Sequence, residues 1–187
     1  MNLPNRLTLA RLALTAVFVA CFSTGLHGRF TAALAIFAIA AATDWLDGEI
    51  ARRRGLVTDF GSLMDPLVDK ILTASAFIGL TAYHAIPPWA VIIIISREFL
   101  ITGLRSLAAS KNLILPADKL GKHKTTWQMA TIIYFLILLA LGEWGIWKWQ
   151  PVAWMFGTHF LVPATVALSV WSGLAYLHKN RALIDTR

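Results

Sequence analysis

Residues 44–69 read DWLDGEIARRRGLVTDFGSLMDPLVD and hold six of the chain's ten acidic residues: Asp44, Asp47, Glu49, Asp59, Asp65 and Asp69. The stretches on either side are apolar, RFTAALAIFAIAAAT before it and ILTASAFIGLTAY soon after it. A carboxylate beside hydrocarbon costs several kcal/mol unless it is paired, metal-bound or facing a watery cavity. Four aspartates retained there call for a physical reason, and a divalent cation supplies one.

Outward from that stretch, the whole chain has the composition of an integral membrane protein. It is 57% hydrophobic and 14% charged, with a mean hydropathy of +0.64. A soluble globule is about 45–50% apolar and about 25% charged. The length of 187 residues suits one domain over 1–187. The single cysteine, Cys21, lies in an apolar run and has no intrachain partner for a disulfide. No small-residue cleavage pattern follows the first apolar run, so it reads as a retained helix. The net charge is +7, but the basic residues stand in short groups beside hydrophobic spans. That distribution points to anionic lipid or a phosphate-bearing substrate and not to nucleic acid.

The pattern predicts an all-α polytopic protein with six transmembrane helices and a short N-terminal interfacial helix over residues 1–7. Spans are expected over about Thr8–Ser23, from Phe30 through Thr43 with a helical continuation to Arg54, over Asp65–Tyr83, from Trp89 past Arg105, over Thr125–Leu141 and over Val152–Leu177. The continuation past Thr43 is needed because about twenty residues are required to cross the hydrocarbon. Residues 106–124 are expected to form a basic loop. Trp144, Trp147 and Trp149 mark an interfacial anchor between the last two spans. With both termini in the cytoplasm, fifteen Lys and Arg fall on that side and only Arg29 and Lys148 on the other. By the positive-inside rule this fixes the orientation and opens the aspartate cluster to the cytosol.

On a helix, Asp44, Asp47 and Ala51 share a face at i, i+3 and i+7, and Gly61, Asp65 and Asp69 share one at i, i+4 and i+8. The short basic connection predicts that the two helices are antiparallel neighbours with facing carboxylates. Such a donor set offers only oxygen, which suits Mg2+ or Mn2+ better than zinc. Four carboxylates have room for two ions, an arrangement suited to displacement at phosphorus. Gly48 and Gly61 leave space beside the acidic face, and Arg52 is within reach of an anion there. A carboxylate–arginine network that merely joins helices, or a cation or proton relay in a transporter, would also use intramembrane acids. The acids sit at the cytosolic ends of their spans, and the second half of the chain has no matching set, which disfavours a transporter.

The string Asp44-x-x-Asp47-Gly48-x-x-Ala51-Arg52, eight residues, Gly61-x-x-x-Asp65-x-x-x-Asp69 resembles the signature of the CDP-alcohol phosphotransferases at every fixed position. The resemblance implies a six-helix membrane enzyme, usually a homodimer. Such an enzyme transfers the substituted phosphate of a CDP-linked donor to an alcohol and releases CMP. It further implies Asp44, Asp47 and Asp65 as metal ligands, and Asp69 as a fourth metal contact and the catalytic base. Gly48, Ala51, Arg52 and Gly61 would line the CDP site.

Downstream, Arg97 and Arg105 stand eight apart on one predicted helix, and Lys122 and Lys124 stand where the next begins. Together they could bind a dianionic phosphate on the acceptor, whereas cationic acceptors such as choline would be repelled. An Arg97–Glu98 structural pair and plain topology-setting lysines are the competing readings. The segments PNRLTLAR, SREFLITGLR and LGKHKTTWQM resemble the bacterial branch of the family, least in the Trp-rich loop and the tail. That branch takes CDP-diacylglycerol as donor and sn-glycerol 3-phosphate as acceptor in the inner membrane. Within the opening motif, Asn5 and Thr8 would approach the nucleotide. An inositol phosphate acceptor is the alternative within the family. The five histidines have no ligand spacing.

Overall fold

The computed structural model describes the backbone of residues 3–54, 59–110, 113, 119–146 and 150–181. Within those ranges the side chains at 3–8, 44–54, 59–66, 69 and 119–120 lie outside the description. The chain is all-helical: α1 (Leu3–Ser23), α2 (Arg29–Arg54), α3 (Asp59–Thr81), α4 (Pro88–Ser110), α5 (Lys119–Glu143), α6 (Gln150–Phe156) and α7 (Val162–Lys179). A π-helical turn, Gly157–Leu161, joins α6 to α7, so that Gln150–Lys179 is one helical rod.

Two expectations are corrected here. Residues 3–7 are not a separate interfacial helix but the first turns of α1. Pro4 stands in the first turn, where its missing N–H has no helical acceptor to serve and its fixed φ already suits a helix. The expected loop over 106–124 is also shorter than drawn, because α4 continues to Ser110 and α5 begins at Lys119. The segment LRSLAAS is made largely of strong helix formers, so the chain has no reason to stop at Arg105. The predicted continuation past Thr43 is present, and α2 carries the helix to Arg54.

Two helical stretches among the described residues, Gly121–Glu143 and Gln150–Lys179, are long and apolar enough to cross a membrane. Shorter apolar helices cover Leu9–Ser23, Arg29–Thr43 and Lys70–Thr81. In α4 the apolar run gives way to Arg97, Glu98 and Arg105 within the same helix.

Packing centres on α5, which contacts α2, α3, α6 and α7, while α1 lies against α2 and α3 and α4 against α3 and α7. Among the described residues, the main neighbours of α2 are therefore α1 and α5, and direct pairing with α3 is not a principal contact. The expected facing of the α2 and α3 carboxylates falls on side chains outside the described residues. Phe18, Phe37, Ala40, Leu72, Phe77, Ile94, Ile132 and Phe135 close into one buried cluster. Small residues let helix backbones approach, as is usual in membrane bundles. At Gly157 an added Cβ would come within 2.7 Å of Tyr134 and 2.8 Å of Phe135.

The three turns remote from the acidic stretch gather at one end. The Glu143 carboxylate at the foot of α5 accepts the backbone N–H groups of Arg29 and Phe30, each at 3.2 Å. These are orphan donors of the first turn of α2, and a carboxylate there also meets the positive end of the helix dipole. Trp144 donates to Thr31 at 3.0 Å, and Tyr83 donates to the Phe22 carbonyl at 3.0 Å. Gly28 and Gly145 have φ of 85° and 64°, the left-handed backbone that these tight turns need. With this end fixed, the C-terminus of α2, the start of α3 and the start of α5 fall at the other.

Candidate active site

The candidate site lies at that second end. Asn5 and Thr8 are on α1, Asp44, Asp47, Gly48, Ala51 and Arg52 on α2, and Gly61, Asp65 and Asp69 on α3. Their backbone is helical throughout, the condition that the i, i+3, i+7 and i, i+4, i+8 spacings require. Their side chains lie outside the described residues, so the metal and CDP assignments keep their sequence argument alone.

The basic half is resolved in detail. Glu98 on α4 receives two cations on one carboxylate oxygen: the Lys124 ammonium from α5, and Arg97 Nη1 at 3.2 Å. Lys124 is only 3% exposed. Two long basic side chains around one carboxylate leave the trio with one net positive charge. Buried charges of this kind persist only when paired and hydrogen-bonded. The structural Arg97–Glu98 pair weighed from the sequence is thus present, and Lys124 joins it.

Arg97 also reaches the last helix, where its Nη2 donates to Ser172 Oγ at 3.1 Å. Its Nε is buried with no hydrogen-bond partner among the described residues. An orphaned buried donor on a guanidinium is uncommon and marks a place where an acceptor would be favourable. Further along α4, Arg105 Nε donates to the Tyr176 hydroxyl at 3.2 Å, with the guanidinium carbon 5.5 Å from the centre of the Tyr176 ring. Lys122 is exposed at the start of α5. The structure therefore brings Arg97 and Lys124 together, seats Arg105 two helical turns further along α4, and leaves Lys122 at the surface.

Lys70 links the start of α3 to the basic half. Lys70, the residue after Asp69 on α3, places its Nζ 3.5 Å from the backbone carbonyl oxygen of Glu98. Below it a cleft between α3, α4 and α5 is lined by Thr73, Phe77, Ile94, Phe99 and Gln128, with Lys70 and Glu98 as its charged members.

Sequence reasoning missed the part played by α7. Thr165, Ser169, Ser172 and Tyr176 recur at i, i+4, i+7 and i+11, and Lys124, Gln128 and Thr131 do so on α5. The two polar stripes meet: Thr131 and Thr165 hydroxyls are 2.8 Å apart, and Gln128 Nε2 donates to Ser169 Oγ at 3.3 Å. A polar stripe at helical spacing inside an apolar span was the signal available to find them.

Comparison with known proteins agrees with the acidic motif. The family model described as CDP-alcohol phosphatidyltransferase matches residues 1–171. The chain belongs to the CDP-alcohol phosphatidyltransferase family. It is 39% identical over 197 aligned residues to a Bacillus subtilis protein named CDP-diacylglycerol–glycerol-3-phosphate 3-phosphatidyltransferase, covering 99% of this chain and 98% of that one. An Escherichia coli protein of the same name is 36% identical, with 98% of each chain covered. A Mycobacterium tuberculosis protein named probable phosphatidylglycerophosphate synthase is 42% identical over 74% of this chain and 68% of its own. CDP-alcohol phosphatidyltransferases generally use divalent metal ions. Every site residue named from the sequence falls inside the matched 1–171, whereas Ser172 and Tyr176 fall just beyond it.

Proposed function

We propose that this family member transfers the phosphatidyl group of CDP-diacylglycerol to sn-glycerol 3-phosphate, giving phosphatidylglycerol phosphate and CMP. The names of its near-full-length relatives in Bacillus subtilis and Escherichia coli support that choice of donor and acceptor. The observation that carries it in the structure is the gathering of Arg97 and Lys124 around Glu98, tied to α3 by Lys70, the residue after Asp69. A phosphorylated acceptor needs positive charge beside the reacting centre, and an unphosphorylated one does not.

The donor set of Asp44, Asp47, Asp65 and Asp69 is all-oxygen and fits Mg2+ or Mn2+, with four carboxylates enough for two ions. These residues would hold the metal, which when bound offsets negative charge on the diphosphate and on departing CMP. Asp69 takes the proton from the acceptor hydroxyl as its oxygen attacks the phosphorus that bears the diacylglycerol. The new P–O bond forms there as the bond to CMP breaks, and no protein residue becomes covalently attached. Gly48, Ala51, Arg52 and Gly61, with Asn5 and Thr8, line the CDP site. Arg97, Arg105, Lys122 and Lys124 bind the acceptor phosphate, and Arg97 Nε is a buried donor without a partner among the described residues.

The same reading takes α1 to α5 and the Gln150–Lys179 rod as six crossings of a bacterial inner membrane. Both termini and the site face the cytoplasm, and the protein works as a homodimer. The charge asymmetry and the gathering of the three opposite turns at one end support that topology. An acceptor screen on purified protein tests the assignment, with CMP release measured for glycerol 3-phosphate, inositol phosphate, inositol and serine. Release with glycerol 3-phosphate alone is expected. Preference for inositol phosphate would move the protein to another branch, and no release with any alcohol would overturn the reading.

A further inference from the structure

We infer that the last helix sets the acceptor pocket: Ser172, Gly173 and Tyr176 of α7 are positioning residues that aim Arg97 and Arg105. This deepens the proposed acceptor site and rests on that reading of the two arginines. Ser172 and Tyr176 are four apart on α7, and each holds one of two arginines that are eight apart on α4. Ser172 Oγ donates to the Ser169 carbonyl at 3.1 Å, so its hydroxyl proton is committed and its oxygen meets Arg97 Nη2 as an acceptor. Both residues are buried, Ser172 at 3% and Tyr176 at 4% exposure.

Gly173 supplies the third, independent observation. A Cβ at that position would lie 2.9 Å from Arg97 Cγ and 3.4 Å from its Nε. The aliphatic stem of Arg97 therefore lies against the α7 backbone, and any side chain at 173 would push it away. A planar guanidinium binds phosphate well only when its fork is held at the right angle. These three residues lie just past the segment common to the family model, which ends at residue 171.

Steady-state kinetics on purified full-length protein tests this with Gly173→Ala and Tyr176→Phe, alongside Arg97→Lys and Arg105→Lys. Alanine is the better helix former, so Gly173→Ala should preserve α7 while displacing Arg97. Tyr176→Phe keeps the ring and removes only the hydroxyl. Both variants are expected to raise KM for glycerol 3-phosphate about tenfold with kcat and KM for CDP-diacylglycerol within about twofold, the signature of lost uniform binding. An unchanged acceptor KM in both, with a raised one in the arginine variants, overturns the role of α7 and leaves the pocket standing. Unchanged acceptor KM in all four overturns the pocket as well. A rise in both KM values together with a lower thermal midpoint would make α7 a structural support only, and would also overturn the inference.

Discussion

Replacing Glu98 by glutamine should destabilise the protein more than any other single change in the basic half. Lys124 is 3% exposed and meets the Glu98 carboxylate, which also accepts from Arg97 Nη1 at 3.2 Å. Glutamine keeps the size and can still accept hydrogen bonds, but it leaves two cations close together with no negative charge between them. Removing one partner of a buried ion pair costs about 3–5 kcal/mol, because the remaining charge is left uncompensated. Taking about 3 kcal/mol, and about 2–4 °C per kcal/mol for a chain of this size, the thermal midpoint should fall by roughly 6–12 °C. The eight tryptophans make intrinsic fluorescence in detergent a direct assay. The double variant Glu98→Gln with Lys124→Met should recover most of the loss, since replacing both partners of a buried pair is often close to neutral. A Glu98→Gln protein as stable as the parent, or a double variant worse than the sum of the singles, would refute the reasoning.

Three further outcomes are expected. Asp69→Asn should keep the fold and divalent-metal binding but lose about 100- to 10,000-fold in transfer rate, the usual contribution of a general base; near-normal turnover would remove Asp69 from that role. Glu143→Gln should lower stability by about 1 kcal/mol, since the carboxylate caps the first turn of α2 from the opposite end of the bundle. Its kcat should not change, and a large kinetic effect would mean that the two ends are coupled. Thr165→Val should cost about 1–3 kcal/mol by leaving the Thr131 hydroxyl buried and unpaired, and adding Thr131→Val should restore most of it. Denaturation of the single and double variants measures both.

The helical backbone of the acidic half was legible because its constraints are local. Asp44, Asp47, Asp65 and Asp69 declare themselves by being costly where they stand, and their helical spacing needs no tertiary information. The extension of α2 to Arg54 followed from the length needed to cross a membrane and is present. Which helices lie side by side depends on apolar packing, and Phe37, Phe77 and Phe135 share one buried cluster. The N-terminal helix was split at residues 1–7 because Pro4 and Arg6 look interfacial, although a proline in a first turn does not interrupt a helix. Likewise, the lysines before Thr125 suggested a loop, although Lys122 and Lys124 are good helix residues and sit on α5.

Arg97 and Lys124 are two of the four cations that the sequence groups as an acceptor pocket, yet nothing in their spacing tells how they are held. Glu98 lies next to Arg97 in sequence, but its bond to Lys124 spans a helix–helix contact. The roles of Ser172 and Tyr176 depend on which face of α7 meets α4. Their i, i+4 spacing was visible, but the partner helix was not. This is the general pattern for a polar cluster in a membrane bundle: position along the span is readable, and the identity of the facing residue waits on packing.

The central claim is that this protein moves a phosphatidyl group to a phosphorylated alcohol. The most direct measurement incubates the purified protein with CDP-diacylglycerol, sn-glycerol 3-phosphate and Mg2+ or Mn2+, and quantifies the CMP and the lipid product together by mass spectrometry. The account predicts CMP and phosphatidylglycerol phosphate in equal amounts, neither appearing when glycerol 3-phosphate or the divalent ion is left out. CMP released without the acceptor, accompanied by phosphatidic acid, would show hydrolysis in place of transfer and contradict it.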